Sequence, residues 1–136
     1  MPIPMLPYRP KRRRIAQLLL GAAAAGASLP ALAHHGWSWA EDQQTVLEAT
    51  IVSISLAPPH PSLVVKAAGG VQWQIDLGNP NQTERSGFTA ASGKPGDAVT
   101  ILSNRHKDKT KMQMKAVRIT IAGKNYDMYP ERIRTN

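Results

Sequence analysis

The stretch Ala33-His34-His35-Gly36-Trp37 gathers two imidazoles and an indole within five residues, the densest group of ion-coordinating side chains in the chain. Neutral imidazole nitrogen suits copper, zinc and nickel, and histidine is largely neutral near pH 7. If processing makes His34 the first residue, its α-amine joins its ring as a second donor. His60 is a third candidate ligand, because it stands between Pro59 and Pro61 and a residue before proline is pushed into extended backbone conformations. The expected set is therefore His34, His35 and His60, holding a copper-type ion. Trp37 and the pair Met112 and Met114 are secondary candidates, since thioethers are soft ligands for Cu(I). Each has a plain alternative: a frayed terminus for the histidine pair, an exposed rigid turn for His60, and core packing for the methionines.

A second chemistry lies in Arg105-His106-Lys107-Asp108-Lys109-Thr110-Lys111. Arg105, Lys107, Lys109 and Lys111 alternate there and offer a basic hairpin to an anionic envelope polymer or a protein partner. The same charges disfavour a metal cation at His106, which reads as part of a solvated hairpin. The sequence contains no nucleophile motif, no phosphate loop and no close pair of acids beside the histidines, so no enzyme is expected. Few aromatics and an exported location argue against a stacking platform for nucleic acid.

The location follows from the first 33 residues. Arg9, Lys11, Arg12, Arg13 and Arg14 precede an Ala/Leu-rich run that ends in Ala31-Leu32-Ala33, the pattern of a cleavable signal peptide. A spanning anchor needs about 20 apolar residues, and Gln17, Ser28 and Pro30 interrupt this run. Export to the periplasm or beyond, with cleavage near Ala33, is the expectation. Arg12-Arg13-Arg14 also fits a loose twin-arginine pattern, so the export route stays open. The full chain carries 17 Lys and Arg against 9 Asp and Glu. Five of the bases and none of the acids lie in the leader, which leaves residues 34–136 only mildly basic. There is no cysteine, which in an oxidising compartment excludes disulfides and thiolate metal sites together.

The remaining segments must position these groups, and their punctuation is that of a small β domain. Thr45 to Leu56 is rich in β-branched residues, with apolar positions first at Leu47, Ala49 and Ile51 and then at Val52, Ile54 and Leu56. That one-residue change of phase predicts a bulge in a long bent strand. Ser62 to Ala67 and Val71 to Leu77 follow as strands around Gly69-Gly70. Asn79-Pro80 starts a short helix reaching Ser86. Pro95-Gly96-Asp97 turns the chain into strand Ala98 to Ser103, Met112 to Ile121 is a long strand, and Tyr126 to Met128 a short edge. Within the long strand Val117, Ile119 and Ile121 mark the core face. Counting back by two puts Lys115 and Gln113 inward and Met112 and Met114 outward, unless a bulge reverses the parity. Trp37 and Trp39, two apart, are expected on one side of an extended arm.

Three strands, a helix and two strands is the element order of the OB-fold, so the expected class is all-β with one short helix, a five- to six-stranded OB-like barrel. The expected domains are a leader (1–33), an arm (34–44), the barrel (45–130) and a tail (131–136). In that fold the loops holding His60 and His106 border the ligand face, which predicts that the two histidines share one rim.

The string Ala33-His34-His35-Gly36-Trp37, Pro59-His60, Glu84-Arg85-Ser86-Gly87-Phe88 and Lys94-Pro95-Gly96-Asp97 resembles a family of small exported bacterial proteins, domain of unknown function 6152. Members typically read Ala-His-His-Ser-Phe, Asn-Pro-His, Arg-x-Gly-Trp and Lys-Pro-Gly-Asp. The resemblance spans most of residues 33–121; Gly36, Pro58 and Phe88 replace the usual Ser, Asn and Trp. It implies a fold and an exported location and carries no assigned activity.

Overall fold

The change of apolar phase near Ile51 is a β-bulge. The computed structural model describes residues 2–5 and 36–134; residues 2–5 are exposed and carry no regular element. Strand β1 (Ala40–Ser55) is 16 residues long, and its pairing with β2 (Ser62–Ala67) shifts register between Ile51 and Ser53. Val52 is the extra residue. Ile51 is therefore 1% exposed while Val52 is 37% exposed, and Ile54 and Leu56 pack against the core from there on. The bulge bends β1 so that its first part pairs with β4 (Ala98–His106) and its second with β2. The strand starts at Ala40, earlier than its apolar pattern at Thr45 suggests, because Ala40 pairs with His106 and Gln44 with Asn104 on β4, across an irregularity in the polar stretch between them.

β2 turns through Ala68–Gly70 into β3 (Gln72–Asp76). Gly69 and Gly70 both have positive φ, 78° and 80°, a region that glycine enters without steric penalty. Trp73, Ile75 and Leu77 point into the core as their alternation requires. Val71, expected with them, is 43% exposed because the turn ends on it and the strand begins one residue later. Helix α1 (Pro80–Arg85) has the predicted start. Asn79 Oδ1 accepts from Gln82 N at 2.8 Å and Gln82 Oε1 accepts from Asn79 N at 3.1 Å, a reciprocal cap that offsets two otherwise unpaired amides.

The strands β5 (Gln113–Ile121) and β6 (Lys124–Asp127) complete the sheet. Its order is β3-β2-β1-β4-β5-β6, and a parallel pairing of β3 with β5 closes a ring of hydrogen bonds. This is the strand order of an OB-like barrel, with the helix between β3 and β4 as that fold requires. Followed from Ser55 through Ser62, Asp76, Lys115 and Asn104, the pairings return to β1 at Gln44, eleven residues away. Such stagger is what closing a sheet on tilted strands demands. The core lies inside this ring: Leu63, Val65, Ile75, Ile101 and Ile119 are each 0% exposed.

Two expectations fail here. A register shift in the β4–β5 pair opposite Val117 makes Ala116 and Val117 both buried, which reverses the parity upstream. Met114 is consequently a core residue, 2% exposed, and Met112 a surface one, 40% exposed. The two thioethers cannot form one outward Met-x-Met site. His60 and His106 also do not share a rim. His106 pairs with Ala40 at the start of β1, and His60 lies in the connection that leaves its far end after Ser55. The OB-like order survives, because the stagger puts these two loops at opposite ends of the barrel.

Candidate functional site

The chain enters the barrel through a turn, not an extended arm. Ala40 N donates to Trp37 O at 3.1 Å, so Trp37 and Trp39 go to different neighbours. Trp37 meets Tyr129 edge-on at 4.8 Å between centroids, with the Arg132 guanidinium 3.9 Å and the Lys115 ammonium 5.3 Å from its ring centre. Each of these aromatic and cationic contacts is favourable. Trp39 stacks on His106 at 5.1 Å, and His106 Nδ1 accepts from Asp108 N. His106 is thus half-buried and not the solvated group its charged neighbours suggest.

Two lysines of the basic hairpin hold this entry. Lys107 Nζ donates to Ser38 O at 2.7 Å, and Lys109 pairs with the Glu41 carboxylate. Arg105 donates to Lys109 O and lies 4.9 Å above the Trp73 ring. Of the four expected partner-binding residues, Lys107 and Lys109 therefore latch the entering chain, and Arg105 braces its own hairpin against Trp73. Lys111 stands exposed.

Around Trp37 a group forms that sequence reasoning did not single out. Lys115 on β5 pairs in register with Asp76 on β3, whose carboxylate accepts from two amides: Oδ1 from Gln74 Nε2 at 3.0 Å and Oδ2 from Gln113 Nε2 at 2.9 Å. Burial pushes the Lys115 ammonium below the usual lysine range, Asp76 pulls it back up, and Arg132 adds to the depression. Burial likewise raises the Tyr129 hydroxyl, against the opposing charge of Arg132. The alternation of the strand assigns Lys115 to the core side, and the bulge at Val117 turns it to the other face.

His60 is exposed in the connection between β1 and β2. Pro61 O accepts from Leu77 N at 2.9 Å, which fixes the chain just after the imidazole. His34 and His35 lie outside the described residues. Among the described residues no group of three or more His, Asp or Glu is placed to hold a metal ion, and no helix is long and apolar enough to cross a membrane.

The hydrogen-bonded ring, the interposed helix and the latched entry define an OB-like β-barrel whose first turn is clamped to its surface. Residues 23–115 match the model of a family of unknown function, DUF6152, and the chain belongs to that family. No curated protein matches it.

Proposed function

We propose that this chain is a non-enzymatic periplasmic or secreted protein that binds a copper-type ion through His34 and His35, with His60 as a further ligand. The observation that carries this reading is the anchoring of Trp37 by Tyr129 and Arg132 immediately after the histidine pair. A chain pinned at its second residue past the pair loses less conformational freedom on binding an ion than a frayed end does. The absence of cysteine leaves nitrogen and oxygen as the main donors, which suits Cu(II).

The test compares three metal-free proteins by copper titration: one beginning at His34, one with a single extra residue before His34, and a His60→Ala variant of the first. The first should bind Cu(II) at least tenfold more tightly than the other two. Equal affinity in all three overturns the reading and leaves the histidine pair as a terminal segment without a bound ion.

A further inference from the structure

Lys115 and Arg132 converge on one indole, and neither makes an ion pair with a carboxylate among the described residues, whose three ion pairs involve other groups. Lys115 Nζ is 5.3 Å from the centre of Trp37 and 5.5 Å from that of Tyr129, and the Arg132 carbon Cζ is 3.9 Å from the centre of Trp37. The nearest acid in register, Asp76, is held by two glutamine amides. We propose that Lys115 and Arg132, set on Trp37, form a receptor for a small oxyanion, a carboxylate or phosphate group.

Three features fit that ligand chemistry. Stacking covers the face of a guanidinium and leaves its N–H donors pointing outward in the plane, the direction in which an oxyanion is met by two parallel bonds. Arg132 is placed in advance: Gln44 Nε2 donates to its carbonyl at 2.6 Å, and its own N–H donates to Tyr129 O at 3.0 Å. Two like charges brought onto one ring, one of them half-buried, repel each other, and an anion bound beside either lowers that repulsion. The receptor uses none of the histidines, so its success or failure is separate from that of copper binding.

The experiment is an NMR titration of the exported form of the protein in chelator-resin-treated buffer, following the Trp37 indole N–H and the Arg132 side-chain signals. Inorganic phosphate and acetate are added in separate series at constant ionic strength, with chloride as the reference. Saturable shifts of these signals by phosphate or by acetate support the receptor, and the stronger of the two names the source of the oxyanion. Arg132→Gln and Lys115→Met should each weaken that binding at least tenfold, while exposed Lys111→Gln leaves it unchanged; thermal melts check that each variant folds. Shifts that follow chloride without saturating, or equal affinity in Arg132→Gln, overturn the proposal.

Discussion

Replacing Trp37 by alanine should destabilise the barrel by about 3 kcal/mol. The indole is partly buried, so roughly half of a ~200 Å² side chain returns to water, about 2.5 kcal/mol at ~25 cal/mol per Å². The guanidinium of Arg132 at 3.9 Å adds about 0.5–1 kcal/mol at a site this open. The edge contact with Tyr129 at 4.8 Å adds about 0.5 kcal/mol, and residual burial in the unfolded chain subtracts about as much as these two together contribute at their lower ends. Urea denaturation reads the total from the midpoint at unchanged slope. Amide exchange at Ala40, whose N–H donates to Trp37 O, should accelerate in the same variant, and Trp37→Phe should recover roughly half of the lost stability. A loss below about 1 kcal/mol with unchanged exchange at Ala40 would mean that the indole merely rests on the surface, and the anchoring argument would fall with it.

The two methionines should separate cleanly: Met114→Ala is expected to cost about 2–5 kcal/mol and Met112→Ala under about 0.5 kcal/mol by the same denaturation assay, and equal losses would contradict the register shift at Val117. Lys115 has a folded pKa below the unfolded value of 10.5, so the unfolded chain binds more protons between the two and stability should rise as pH climbs through that window. Lys115→Met should flatten the rise and stabilise the protein at neutral pH; a fall in stability across the window in the unmutated protein would reverse the assignment. Ala122 sits at φ 50° ahead of Gly123 in the two-residue turn between β5 and β6, where asparagine tolerates the left-handed region better. Ala122→Asn should therefore raise the unfolding free energy by about 1 kcal/mol, and a destabilised variant would show the turn is not of this kind.

Much of the fold was readable because it rests on local chemistry. The phase change at Ile51, the glycine pair, the Asn79-Pro80 cap and the Lys94-Pro95-Gly96-Asp97 turn each act over a few residues, and each falls where the pattern puts it. Asp97, for example, accepts from Lys94 N at 3.0 Å through its own carboxylate. What stayed hidden depends on partners distant in sequence. Nothing near Val117 announces its bulge, because valine and alanine fit both faces of a strand, and the parity of Met114 turns on it. The internal ties of the basic hairpin were hidden because their partners, Ser38 and Glu41, lie about 70 residues away in polar sequence with no periodic signal. The Trp37 group was invisible for the same reason: β3 supplies Asp76, β5 supplies Lys115, and the segment around Pro130 supplies both Tyr129 and Arg132.

That ring also sets how the domain must be made. Its last join is the parallel pairing of Gln74 to Asp76 with Gln113 to Lys115, and the helix and all of β4 lie between the two partners. Until β5 arrives, the meander of β1, β2 and β3 has a finished hairpin pattern but one apolar face open to water. Closing a loop of that length costs entropy before any contact rewards it, which places folding toward the millisecond-to-second end of the range. A chain that ended before β5 would leave β3 without its parallel partner and the faces of Ile75 and Val65 without the strand that covers them in the closed ring.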